Sequence, residues 1–346
     1  MHRKHDNDLA RAQVQAQAQA QAHAQAQVQA QAQAHAHAHA WAFLAPAEVW
    51  PGPSFAPPPT TEQIQSAGFF AWAVRYASGL SSGPIGFMSP GIFSALSAAG
   101  LIAKADTHAD THADTHAETQ AGKQADQQAA APYLIDVHCL SALEAVLADY
   151  LGPEGWRHER FVLRDRSAGI LLDGTAQPQP LVLERSLFRP LGLLSSSVQL
   201  NLFTPQGKYW VGRRAAHKHI DPGLWDAAAA GGLPAHESAA VAIRREAAEE
   251  AGLAENIFPL MRFVGRVRVC RLLPDCLHHE QVWVFSIRPL EMVQPRPVDG
   301  EVEVFDCVWP AEILSRYREG QFNHEAACGS LLQSLDQTEP GLATKR

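Results

Sequence analysis

Apolar residues return at helical spacing over Asp136–Leu151, where Leu140, Leu143, Val146, Leu147 and Leu151 share one face and Gly152 and Pro153 stop the turn. Three short apolar runs follow, Glu159–Leu163, Gly169–Leu172 and Leu181–Leu183, and they predict a small α+β region. Alternation then takes over. Ser196–Phe203 and Lys208–Arg214 flank Pro205-Gln206-Gly207, which predicts a β-hairpin. An Ala-rich segment leads into Ser238–Ala251, whose Ala239, Ala242, Ile243 and Ala247 form the apolar stripe of a helix ended by Gly252. Strands are predicted at Phe263–Leu272, Gln281–Ile287 and Val302–Val308, and helices at Ala311–Tyr317 and Glu325–Leu335. Elements mixed in this order, with a hairpin among them, predict an α/β domain built on a mixed sheet.

The first third reads differently. Between Ala10 and Ala40 Gln and Ala alternate, so a helix there carries Gln all round and has no apolar stripe to pack. His23, His35, His37 and His39 stand in that tract on a chain without fixed geometry, where metal binding is weak and unselective at best, and the tract reads as a drifting repeat. Pro46–Pro59 and the Thr-His-Ala-Asp repeat over Thr107–His116 read as solvated linker. The most apolar stretch, Ala67–Ala103, is interrupted by Arg75 and by six glycines and prolines from Gly79 to Gly91, short of the roughly 18 uninterrupted residues of a membrane span. These features predict a low-complexity, mostly disordered region over residues 1–131, and an N-terminal third whose residues 1–125 can be removed without loss of activity. A small α+β lead-in region over 132–194, the main domain over 195–335 and a tail over 336–346 complete the division.

Composition narrows the function classes. The 346 residues carry 28 Lys and Arg against 36 Asp and Glu, a net charge of -8, so there is no basic excess to neutralise a nucleic-acid backbone. Five cysteines, odd in number and without a CxxC pair, suit a reducing compartment with free thiols. No apolar core follows the charged start, so the expected setting is cytoplasmic, with neither membrane nor nucleic acid as partner. GxSxG, Walker A and GxGxxG patterns are absent, which removes the serine-hydrolase, P-loop and dinucleotide-fold readings.

One segment concentrates chemistry: Gly231-Gly232-Leu233-Pro234-Ala235-His236-Glu237, seven residues, then Arg245-Glu246-Ala247-Ala248-Glu249-Glu250-Ala251-Gly252-Leu253. Glu246, Glu249 and Glu250 stand at i, i+3 and i+4, so three carboxylates share one helix face. Like charges so arranged repel, and a divalent cation offsets the repulsion. Hard oxygen ligands select Mg²⁺ or Mn²⁺ and leave positions for water and phosphate oxygens. Arg245 lies four residues before Glu249, the spacing for an intrahelical pair that orients a ligand carboxylate. Gly231 permits the turn into the loop, and Glu237 supplies a further carboxylate or fixes that loop.

The spacing resembles the Nudix box: G, five residues, E, seven residues, R, E, an apolar residue, any residue, E, E, any residue, G, an apolar residue. Gly231, Glu237, Arg245, Glu246, Glu249, Glu250 and Gly252 fill the fixed positions, and Ala247 and Leu253 the apolar ones. The resemblance covers about Ser195–Ser334 and implies an α/β/α sandwich with a mixed sheet, in which the box is a loop, helix, loop unit. It implies hydrolysis of a diphosphate linkage with Mg²⁺ or Mn²⁺, a small-molecule diphosphate as partner, and a homodimer as a common assembly. Metal binding then falls to Glu246, Glu249 and Glu250 with Gly231, and catalysis to Glu249, Glu250 and Arg245. Nudix enzymes often recruit an acid from outside the box, a role open to Glu301 or Glu303, with Glu237 in support.

Upstream, Gly212-Arg213-Arg214, Lys218, Pro222-Gly223, Asp226, Ala230-Gly231-Gly232 and Pro234 resemble the Nudix subfamily related to thiamine pyrophosphokinase, with its extra N-terminal region. His236 departs from the small residue usual there. The likeness brings thiamine-type diphosphates, beside nucleoside diphosphate derivatives, into the substrate class. Arg213, Arg214 and Lys218 are the candidate phosphate clamp. Phe188, Trp210 and Trp225 read as core before they read as a stacking surface. Cys276, His278, His279 and Glu280 crowd a predicted loop without zinc-like spacing. Two alternatives stand beside the hydrolase: an isoprenoid-diphosphate isomerase, which needs a catalytic Cys and a His-rich metal site, and a non-catalytic sensor of a metabolite diphosphate, which degenerate box carboxylates would favour.

Overall fold

The computed structural model describes residues 59–76, 82, 84–104, 132–274 and 276–336. The Ala/Gln/His tract, the Thr-His-Ala-Asp repeat and the tail from 337 lie outside them.

Sequence patterning placed residues 1–131 in a low-complexity region, and part of that expectation is corrected. Helix α1 (Thr61–Ser66), strands β1 (Phe70–Arg75) and β2 (Gly86–Met88), helix α2 (Pro90–Ala98) and strand β3 (Ala103–Lys104) precede the long gap. Strand β4 (Tyr133–Asp136) joins them in a four-stranded sheet ordered β2-β1-β4-β3, with β1 and β4 parallel. Of the glycines and prolines that break the apolar stretch, Gly86 opens β2, and Pro90 and Gly91 open α2. Trp72, Val74, Ile85, Met88, Ile92 and Leu96 are at most 1% exposed and pack in one core with the helix α3 (Leu140–Leu151) residues Leu143 and Leu147. The described residues among 61–104 thus pack with the lead-in region. Among the described residues no helix is long and apolar enough to cross a membrane.

Strands β5 (Arg160–Val162) and β6 (Val182–Glu184) form a two-stranded ribbon. The larger sheet follows: β7 (Leu194–Phe203), β8 (Tyr209–Arg214), β9 (Trp225–Asp226) and β10 (Ala229–Gly232), then helix α4 (Ala239–Ala251), then β11 (Arg262–Leu272), β12 (Leu277–Ile287) and β13 (Val302–Val308), closed by helices α5 (Pro310–Arg318) and α6 (His324–Asp336). Its path is β11-β12-β7-β8-β13, with β10 on β7 and β9 on β8, and β12 runs parallel to β7. The sheet is mixed, with helices on both faces. On one face Val198, Leu200 and Leu202 meet Ala242, Ile243, Ala247 and Ala251 of α4. On the other, Val267, Val269, Val282 and Val284 meet Ala326, Ala327 and Cys328 of α6.

Two local differences from the sequence pattern have clear causes. β9 and β10 are made of Trp-Asp and Ala-Ala-Gly-Gly, of which all but the Trp have little β-propensity, and they are held in the sheet by pairing with β8 and β7. Leu277–Glu280, read as loop, open β12, because Leu277 is covered by Ile64, Phe69, Ala71 and Phe87 of the region left out of the fold.

Beneath α6 this extension buries charge. His278 Nε2 lies 3.0 Å from Glu280 Oε2 and 3.0 Å from Glu325 Oε1, and Arg271 reaches Glu325 Oε1 at 2.9 Å. Burial alone pulls the imidazole down, but the two carboxylates outweigh it and raise His278 to about 9. An unfolded histidine titrates near 6.5. The contribution of His278 to stability is therefore complete below about pH 6.5 and is lost as pH rises through about 9. Unfolding free energy measured in urea should fall by on the order of 2 kcal/mol between those pH values, and His278→Gln should abolish that slope. A slope unchanged in the variant would remove His278 as its source.

Candidate active site

Ser238 starts α4: its Oγ accepts the Val241 N–H, and Gly252 ends the helix in the left-handed region at φ 61°. The alanine stripe brings the helix close to β10, and the carboxylates at 246, 249 and 250 lie along the adjoining face. Two of them are pressed against β10. Glu250, 7% exposed, accepts the Ala230 N–H at 2.9 Å through Oε2. Glu246 lies over Gly231, where a Cβ would stand 1.9 Å from Glu246 Oε1. The glycine is required there by this close approach of a side chain to the backbone.

Arg245 gathers the remaining acids. Its Nε and Nη2 donate to Glu237 at 3.1 and 3.0 Å, and Nη1 donates to Glu246 Oε1 at 2.9 Å and to Glu249 Oε2 at 3.1 Å. The Glu237 hydrogen bonds, with Glu246 and Glu249, hold its guanidinium above its usual range. One arginine thus positions three box carboxylates and ties the loop before α4 to the helix.

Glu301, outside the box, is brought in from the start of β13. It pairs with Lys218 and acts electrostatically on Glu250. Burial pushes Glu301 up, and Lys218, Arg214 and Glu250 together bring it below the usual carboxylate range. Glu250 is driven well above that range by burial, countered by the Ala230 N–H and reinforced by Glu246, Asp226 and Glu301. Glu246 is raised to about 7, chiefly by burial, with Glu249 and Glu301 adding to the rise against Arg245. Burial is the first cause of both rises, because it disfavours the charged form of each carboxyl. This donor set, all hard oxygen, fits a divalent cation such as Mg²⁺ or Mn²⁺.

The other expected residues are distributed as follows. Arg214 is committed inward: Nη1 donates to Asp226 at 2.8 Å, and Nε and Nη2 donate to the Ile220 carbonyl. Arg213 donates to the Gly223 carbonyl at 3.2 Å and lies 3.9 Å from Glu303, which accepts the Ala216 N–H. Of the three cations only Lys218 is joined to the box carboxylates, through Glu301. Phe188 is buried in the lead-in core, and Trp225 carries Arg316 over its ring at 4.5 Å. Asp226 was quoted only as a motif position, yet it is buried beside Glu250 and anchors Arg214. Among the described residues, tight trios of candidate ligand atoms, all within 4.8 Å of one another, occur instead at His278, Glu280 and Glu325 and at Asp136, His138 and Cys139.

A loop, helix, loop unit of acids packed on a mixed sheet defines the class of domain. Residues 195–326 match the family model described as NUDIX domain, and this segment of the chain is a Nudix domain. The chain is 26% identical over 194 residues to an uncharacterized protein of Saccharomyces cerevisiae, covering 51% of this chain and 54% of that one. It is 29% identical over 143 residues to Nudix hydrolase 20, chloroplastic, of Arabidopsis thaliana, covering 40% of this chain and 38% of that one. The chain thus spans about half or less of the length of these curated relatives. Among solved structures it is similar to DR0079 from Deinococcus radiodurans, with 21% identity, a TM-score of 0.37, and coverage of 52% of this chain and 98% of that one.

Proposed function

We propose that this protein is a hydrolase that cleaves a diphosphate linkage in a small molecule with the help of Mg²⁺ or Mn²⁺. The observation that carries the reading is the gathering of box carboxylates on one helix face against β10, with buried Glu250 on the Ala230 N–H, Glu246 over Gly231, and Glu246 and Glu249 joined by Arg245. Glu246, Glu249 and Glu250 would hold the cation. When bound, it neutralises phosphate charge and lowers the pKa of a water molecule. The chain's own residues do the rest. Arg245 fixes Glu246 and Glu249 in place, Lys218 keeps Glu301 charged at neutral pH, and a carboxylate of this set accepts the proton of the attacking water.

The upstream pattern from Gly212 to Pro234 supports membership in the subfamily related to thiamine pyrophosphokinase, and with it a thiamine-type or nucleoside diphosphate derivative as substrate. We further infer a cytoplasmic protein that partners neither nucleic acid nor membrane and assembles as a homodimer.

A release assay tests the reading directly. Thiamine, nucleoside, sugar-nucleotide and isoprenoid diphosphates are incubated with the full chain and Mg²⁺, Mn²⁺ or EDTA. Metal-dependent release of a monophosphate from at least one of them is expected. Isomerised product without release would make the protein an isomerase, and binding without turnover would make it a sensor.

A further inference from the structure

The lead-in region does more than precede the Nudix domain, because it forms one wall of a cleft whose other wall is the box loop. The cleft, about 50 Å³, is lined by Phe161 and Arg164 of the lead-in region and by Ser196 of β7, Leu233, Pro234 and Glu237 of the Nudix domain. The two walls are fastened together. The Ala235 N–H donates to the Arg160 carbonyl at 2.7 Å, the Leu233 N–H donates to the Ser196 carbonyl at 2.9 Å, and a Cβ at Gly232 would stand 2.5 Å from Phe161 Cζ.

Among the described residues, Arg164 Nε and Ser196 Oγ are buried with no hydrogen-bond partner, although Arg164 Nη1 is anchored on the Ala168 carbonyl. Ser196 itself is 8% exposed. A buried donor left unpaired costs roughly 1–3 kcal/mol, so the two that line the cleft, Arg164 Nε and Ser196 Oγ, call for an acceptor.

Arg164 is held below its usual value by burial and by neighbouring Arg266, against Asp165, which raises it, and Arg266 is likewise lowered by burial. The nearby acids are occupied: Asp165 accepts the Ser167 and Gly169 N–H groups, and Glu237 is gripped by Arg245. An arginine with an unpaired Nε beside a buried hydroxyl, its neighbouring carboxylates Asp165 and Glu237 held by other donors, suits an oxyanion.

We propose that this cleft is an anion subsite in which Arg164 and Ser196 bind an oxyanion group of the substrate, so that the lead-in region selects what the box hydrolyses. The substrate class narrows accordingly, to diphosphates bearing a further phosphate or carboxylate beyond the linkage cleaved. This assignment to substrate rests on the hydrolase reading, whereas binding of an anion in the cleft does not.

The test uses the full chain with Arg164→Met, which keeps bulk and loses charge, and Ser196→Ala, which removes one hydroxyl and preserves the fold. Binding of inorganic pyrophosphate is measured by calorimetry in EDTA, so that the box cation plays no part. The KM of the best substrate from the release assay is measured alongside. Pyrophosphate affinity should fall at least tenfold in Arg164→Met and a few-fold in Ser196→Ala, with KM rising in step and kcat falling less. Unchanged pyrophosphate binding in the variants overturns the site. Lost binding with unchanged KM assigns the cleft to free phosphate and overturns its link to substrate. Lost binding in a chain that turns over nothing on the panel defeats the hydrolase reading and leaves the anion site standing.

Discussion

Glu250→Gln is expected to lower kcat/KM by at least about 100-fold, roughly 3 kcal/mol of transition-state stabilisation, while the metal-free protein unfolds at the same or a higher temperature. The two effects part because the residue carries two burdens. Its carboxylate is a ligand in the proposed cation site, and it is also a buried acid whose ionisation the fold resists. With its folded value above the unfolded value near 4.5, the side chain adds stability below that pH and loses it as pH rises. Glutamine removes that loss, and its carbonyl oxygen still accepts the Ala230 N–H. Glu249→Gln should show the same fall in activity. Its side chain is half exposed, so the stability change should be smaller. Near wild-type turnover in both variants, or unfolding of both, would end the assignment of this helix as the metal site.

Gly231→Ala is expected to do comparable damage by adding a single carbon. The Cβ would collide with the Glu246 carboxyl group, at 1.9 Å from Oε1 and 2.1 Å from Cδ. A side-chain end can swing away at little cost to the fold, so the melting temperature should move by only a few degrees. Glu246 then no longer lies where Arg245 Nη1 donates to it. Activity should fall by about 100-fold, an effect of about 2.7 kcal/mol on the barrier. Turnover within a few-fold of wild type would mean that the position of Glu246 is not critical. A collapse in stability of more than about 4 kcal/mol would mean that the glycine serves the strand rather than the carboxylate.

Much of this arrangement was legible in the sequence, and its limits are physical. The helix and its acids could be read because helical periodicity and residue type act locally: Glu246, Glu249 and Glu250 must share a face wherever the helix lies. The pairing of Arg245 with Glu249 is local in the same way. What periodicity could not supply was the strand facing them, since Ala229–Gly232 is a strand only by pairing with β7. Without that strand neither the burial of Glu250 nor the crowding of Glu246 could be foreseen. Glu301 was a candidate because it is an acid near a strand end, but nothing in the pattern separated it from Glu303. The difference is tertiary, since Glu301 pairs with Lys218 and acts electrostatically on Glu250 while Glu303 caps Ala216. The phosphate clamp was read from a cluster of charges, and charge alone does not reveal that Arg214 is committed to the buried Asp226.

The largest departure, the folded segment from 61 to 104, has a similar origin. Its strands are short and its glycines frequent, so no window is long enough to show a period. Trp72 and Ile85 become core only because β4, some thirty residues beyond Lys104, completes the sheet. That the same segment covers Leu277 explains why the first turnless residues of β12 were mistaken for a loop.

The most direct test of the cation site is a titration of Mn²⁺ followed by electron paramagnetic resonance, comparing the full chain with Glu246→Gln and Glu250→Gln. One Mn²⁺ site is expected in the wild type, weakened at least tenfold by either substitution. Binding of equal strength and number in all three proteins would contradict the placement of the metal on α4 and, with it, the proposed chemistry.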